Sequence, residues 1–156
     1  MGKRSVKENK NKYQLCREDA GMTRAQASEA TEFLSESRIE KIESEKSEPY
    51  PDEVLAMAKA YHHVELSNYY CSHKCPIGQR YVPEVEMKDL SQITVELVVG
   101  LNELLKKKDR LMEITVDGQI TEDEYNDFRE IRQKLAEMSS VIDSLEMWVE
   151  SENIEV

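Results

Sequence analysis

The sequence of 156 residues contains no run of about 18 apolar residues, so no transmembrane helix and no membrane partner are expected. Its first residues, Met1-Gly-Lys-Arg-Ser-Val-Lys, lack the apolar stretch of a signal peptide, and the expected location is cytoplasmic. Cysteine is scarce and odd in number. Cys16, Cys71 and Cys75 cannot form a complete disulfide framework, and a reducing compartment keeps them as thiols. Also missing are a nucleophile beside a paired base, a glycine-rich phosphate cradle and clustered catalytic carboxylates. The chain is therefore not expected to be an enzyme or to carry a cofactor.

Glycine and proline are few, at five and four residues, and β-branched residues are scattered. Long stretches are rich in Glu, Lys, Leu, Ala and Met, which favour helices. The expected fold class is all-α. Positive charge is in deficit too: the net charge of -11 argues against a simple basic patch for nucleic acid. The deficit is unevenly spread, because residues 1–68 hold eleven Lys/Arg against thirteen Asp/Glu, whereas residues 69–156 hold ten against nineteen. Residues 1–12 form a basic arm, with Lys3, Arg4, Lys7, Lys10 and Lys12 against Glu8 alone. Such an arm is either a solvated tail or a seeker of phosphate.

Local signals predict a series of short helices. Tyr13 to Asp19 reads as a helix closed by Gly21 in a left-handed cap. Thr23 caps a second, with Gln26 completing a capping box. After the turn Glu32-Phe33-Leu34, Ser35 caps a third that carries Ile39 and Ile42 on one face. Pro49 and Pro51 introduce a fourth, Asp52 to Tyr61, with Val54, Leu55 and Ala58 offered to the core, and a fifth covers Leu66 to Tyr70. The spacing of the first three suits a helix-turn-helix, although periodicity alone fits any small bundle.

The residues in order carry more than the periodicity. Arg17, the run Gly21-Met22-Thr23-Arg24, the segment Ser35 to Glu43 with Ile39-Glu40-Lys41-Ile42-Glu43, Pro49, and Leu55-Ala56-Met57-Ala58-Lys59-Ala60 follow one another as five separated features. Over residues 13–70 the sequence resembles the XRE, or phage-repressor, family of helix-turn-helix transcriptional regulators. It departs from the family pattern in three places: no glycine stands in the turn between the second and third helices, one extra residue lies between Thr31 and Ser35, and Arg24 replaces the usual Gln.

The resemblance implies double-stranded DNA as partner and a set of contact residues. Glu36, Ser37 and Lys41 fall at base-reading positions of the recognition helix, Arg24 at the position that braces the DNA backbone, and Ser44 and Lys46 at phosphate-contacting positions; Ser35, at the helix start, belongs to the same DNA-binding set. Arg38 lies one step round, within reach of a phosphate. Lys41 suits guanine O6/N7 and Glu36 suits cytosine N4. The same resemblance makes Glu43 the internal partner of Arg17. With Glu36, Glu40, Glu43 and Glu45 the helix is acidic for this task, and a solvated face that never meets DNA is the competing reading.

Residues 71–86 read as a cysteine-containing linker. Cys71, His73 and Cys75, with His62 and His63 upstream, are open to three readings: small packed thiols, a metal site, or redox sensing. Residues 87–150 read as a long antiparallel helical hairpin. Leu90, Ile93, Leu97, Leu101, Leu104 and Leu111 form one stripe, and Tyr125, Phe128, Ile131, Leu135, Met138, Ile142, Leu145 and Val149 form the other. Thr121 and Glu124 resemble a capping box at the start of its second helix. Between the helices, Glu113, Thr115, Asp117, Thr121 and Glu124 fall at EF-hand spacing around Gly118, but Glu113 is too long for its place and Thr115 carries no charge. A plain turn is the simpler reading. A lone hairpin cannot bury both stripes and the Val95, Val98, Val99 flank, and pairing with a second copy in a four-helix bundle would. The expected whole is a five-helix repressor-like domain followed by a hairpin that makes a homodimer, acting as a sequence-specific regulator. The alternative is a protein-interaction module that keeps the fold without binding DNA.

Overall fold

The computed structural model describes residues 9–154. Most of the basic arm expected over 1–12, including Lys3, Arg4 and Lys7, lies outside the described residues. Those described form eight helices and no strand: α1 Lys12–Asp19, α2 Arg24–Thr31, α3 Glu36–Glu43, α4 Pro51–Tyr61, α5 Glu65–His73, α6 Gly78–Tyr81, α7 Leu90–Ile114 and α8 Tyr125–Ser151. They divide into two compact units between Glu84 and Val85.

In the first unit each short helix is started and stopped by its own sequence. Asn11 caps α1 by accepting from the Gln14 amide, and the same side chain donates to the Ile42 carbonyl at 2.8 Å, tying the start of α1 to the end of α3. Gly21, at φ +69°, closes α1 in a Schellman motif, with Gly21 N–H donating to the Glu18 carbonyl and Met22 N–H to that of Arg17. Thr23 and Gln26 form the expected capping box on α2. A helix of eight residues is marginal alone in water, so packing must hold these together. Tyr13, Cys16, Ala27, Leu34, Ile39, Ile42, Val54, Met57, Ala58, Tyr61 and Leu66 supply one core. Ile39 and Ile42 are fully buried, each worth about 1.5–3 kcal/mol, and they fix which face of α3 is left outside. Leu55, expected in the core, instead points to solvent. Its neighbours Val54 and Ala58 take the core face of α4, and Leu55 lies one residue round from Val54, off that face.

Residues 71–86, read as linker, are partly helical. The α5 helix runs on through Cys71 to His73, and α6 follows as a sixth helix where five were expected. Gly78 allows this, since a Cβ there would run into the Cys71 backbone carbonyl.

The second unit is an antiparallel pair. Lys134 reaches Glu103 at 2.9 Å, Lys107 reaches Glu130 at 2.7 Å and Arg110 reaches Asp127 at 2.7 Å, so the register steps evenly along α7 and α8. Gly100 lies against Met138, at a height where a Cβ would meet the Met138 methyl. The expected stripes split. Ile93, Ile131 and Met138 are buried, as is Ile114 outside the expected set, whereas Leu90, Leu101, Tyr125, Leu135 and Ile142 remain exposed. Thr121 does bond to the Glu124 carboxylate, but the helix begins only at Tyr125, because residues 122–124 first complete a turn.

Candidate nucleic-acid interface

Two helices and the turn between them shape the site. α2 ends at Thr31, and Phe33 N–H donates to the Thr31 carbonyl at 2.8 Å across Glu32, which takes φ +64° and ψ -37°. This is a γ-turn of the rare positive-φ form. It replaces the missing glycine by straining a glutamate, and it accommodates the extra residue. Ser28 Oγ donates to the Leu34 carbonyl at 2.6 Å, anchoring the turn to α2. Ser35 then caps α3, its side chain accepting from the Arg38 amide.

With Ile39, Ile42 and Glu43 turned inward, α3 presents Glu36, Ser37, Glu40 and Lys41 to solvent, with Ser35 exposed at its start. The helix ends in a second Schellman motif, in which Glu45 N–H donates to the Ile42 carbonyl and Lys46 N–H to that of Lys41. Glu45 holds φ +59° there and directs the chain so that Lys46 is exposed beside half-buried Ser44. Six of the sequence-predicted contact residues, Ser35, Glu36, Ser37, Lys41, Ser44 and Lys46, thus share α3 and its two ends.

Behind this surface lies a charged network. Glu43, with a side chain 1% exposed, accepts from Arg17 Nε at 2.5 Å, Arg17 Nη2 at 3.0 Å and Arg24 Nε at 2.8 Å. Arg17 Nη1 donates to the Met22 carbonyl at 2.6 Å. The Arg17–Glu43 pairing is therefore bidentate and buried, which locks α1 to α3. Arg24, expected to brace phosphate, spends its Nε on Glu43. Its side chain is 37% exposed, so its other N–H groups remain on the surface of α2.

Arg38, expected within reach of a phosphate, is instead held against α4. Its Nε and Nη2 donate to Glu53 at 2.7 and 2.6 Å, Nη1 to Ser47 Oγ at 2.6 Å, and Nη2 also to the Glu48 carbonyl at 2.9 Å. Its guanidinium also sits 5.4 Å from the Tyr50 ring centre. One N–H is left, so Arg38 braces α3 against α4 rather than reaching for phosphate. Glu53 is held below the ordinary carboxylate range by the Arg38 hydrogen bonds, against the opposing effect of burial. Neither arginine's partner was legible from spacing, since Glu43 and Glu53 lie nineteen and fifteen residues away in sequence.

The metal-capable side chains that the fold gathers share only His63 with those the sequence suggested. Among the described residues, the grouping is Cys16, His63 and Glu65, with ligand atoms within 4.8 Å of one another. Burial pushes the Cys16 thiol up to about 11, which keeps it protonated. His63 is at 2.6 Å from Glu65 through Nδ1 and at 3.2 Å from Asp19 through Nε2. The cluster works as a polar staple between the end of α1 and the start of α5.

Residues 14–67 match the family model described as Helix-turn-helix. No match was found among curated proteins or among solved structures. No helix of the described residues is long and apolar enough to cross a membrane. The matched span runs from α1 into α5 and includes the Arg17–Glu43 lock, the α2–α3 turn and the exposed face of α3. The N-terminal domain of this chain is a helix-turn-helix domain of the XRE, or phage-repressor, type.

Proposed function

We propose that the chain is a sequence-specific, DNA-binding transcriptional regulator that acts as a homodimer. The observation that carries the reading is the outward face of α3. A helix pinned from behind by Ile39, Ile42 and Glu43 offers Ser35, Glu36, Ser37 and Lys41 together at one surface. In the major groove Lys41 donates to guanine and Glu36 accepts from cytosine, while Ser44, Lys46 and the free N–H groups of Arg24 meet phosphates and set the register. Pairing through the hairpin is supported by the apolar side chains it leaves in water, Leu135 at 47% and Ile142 at 45% exposure among them. Two copies would present two recognition helices to two half-sites.

A gel shift on random DNA over a salt series, followed by selection of bound sequences, tests this reading. The expected result is salt-sensitive binding and a selected motif. Exposed Glu36 and Glu40 oppose phosphate and favour a second reading, a protein-interaction module on a repressor-like fold. No shift at low salt would favour that one.

A further inference from the structure

The hairpin leaves one face unpartnered, and its charges are sorted along its length. On that face an apolar groove is lined by Leu101, Leu104, Leu105, Leu111, Ile131 and Leu135 from both helices, which places the two exposed stripes side by side. Along α8 the stripe continues through Ile142, seven residues beyond Leu135. The charges in the α7–α8 seam are matched within the chain, as in Lys134–Glu103 and Lys107–Glu130. Lys107 and Lys108 also line the groove and pair with Glu130 and Asp109, but five other charges beside the open stripe are unmatched. Arg129, Arg132 and Lys106 sit towards the turn, Glu146 and Glu150 towards the free end, all exposed, and none has an ion-pair partner among the described residues.

We propose that this face receives a second copy of the chain with the two hairpins running in opposite directions, their turns at opposite ends of a four-helix bundle. The proposal rests on the homodimer reading above and adds its orientation. A two-fold axis across the helices stacks α8 on the partner's α8. Leu135 then meets the partner's Ile142, and the reverse. Arg132 lies three residues before Leu135 and Glu146 four residues after Ile142, so the same superposition sets Arg132 against the partner's Glu146, twice per dimer. Arg129 and the partner's Glu150 follow one turn further out. The alternative axis, along the helices, stacks α8 on the partner's α7 at equal height. Since Arg132 stands level with the stretch between Glu103 and Lys107, that arrangement sets it beside the partner's Lys106 and Lys108. Charge decides, because like charges across an interface are penalised and opposite charges fix register.

The test is the dimer dissociation constant of the full chain, measured by sedimentation at low salt for Arg132→Glu, Glu146→Arg and the double variant. Each single change converts two attractive contacts into two repulsive ones and should weaken the dimer about 5- to 30-fold, an effect that fades as salt rises. The double variant should return close to the wild-type value, and mixing the two single variants should restore a tight heterodimer. Tighter or unchanged association of Arg132→Glu would overturn the orientation while leaving the homodimer standing. A wild-type chain that stays monomeric at every concentration would overturn the homodimer reading and this inference with it.

Discussion

Replacing Glu43 by Gln removes the charge that three donors share, at a site closed to water. The carboxylate accepts from Arg17 through two nitrogens and from Arg24 through one, and its side chain is 1% exposed. In the variant, Arg17 keeps its bond to the Met22 carbonyl but loses its counter-charge while 6% exposed as a residue. A buried pair broken from one side costs about 3–5 kcal/mol, because the remaining ion has neither water nor partner. For a domain of this size that corresponds to a fall of about 15–30 °C in melting temperature. Arg24 contributes less, since its guanidinium is partly in water, so Arg24→Ala should cost about 1 kcal/mol or less. The assay is urea unfolding followed by tyrosine fluorescence, which reports mainly on this unit because six of the seven tyrosines lie in it, whereas Tyr125 and the single tryptophan, Trp148, lie in α8. The double change Arg17→Met with Glu43→Leu is the control: removing both ions should recover most of the loss. A Glu43→Gln cost below about 1 kcal/mol would refute the reasoning, as would a double variant no more stable than the single.

Three further outcomes follow from the same geometry. Glu32→Gly should stabilise the domain by about 0.5–1 kcal/mol in urea unfolding, because relief of positive-φ strain outweighs the added entropy of a glycine; a net loss would mean that the turn is unstrained. The folded-state pKa of Glu53 is depressed by Arg38, so the stability it provides is present above the ordinary glutamate value of about 4.3 and is lost as pH falls through the folded value. Acid unfolding of Glu53→Gln should therefore be less steep than that of wild type, and identical acid limbs would count against the Arg38–Glu53 bond. Leu135→Glu with Ile142→Glu places like charges in the open stripe and should give monomers that bind DNA more weakly, and an intact dimer on sedimentation would move the interface elsewhere.

The caps were legible because their chemistry is local. Thr23 with Gln26, Ser35, and Gly21 each need only neighbours within a few residues, and each adopts the expected form. The Arg17–Glu43 pairing was legible only through the family resemblance, since 26 residues separate the two. What the guanidiniums of Arg24 and Arg38 do was hidden for the same reason. A long cation takes whichever carboxylate the tertiary fold brings within reach, and that fold set Glu43 and Glu53 there first. The γ-turn at Glu32 carried no signal either, because a strained glutamate looks like any other in the sequence. In the hairpin, heptad spacing marked apolar stripes broader than the seam between two helices. It did not separate Ile131 and Met138, which face the sister helix, from Leu135 and Ile142, which do not.

The central claim is that the outward face of α3 reads bases, and the direct test compares Lys41→Ala with wild type on the selected site and on random DNA at one fixed salt concentration. The account predicts a loss of about 1–3 kcal/mol on the selected site, a relaxed preference at a single base pair, and little change on random DNA. Equal losses on both DNAs would make Lys41 a phosphate contact, and unchanged binding to both would contradict the claim that this face meets DNA.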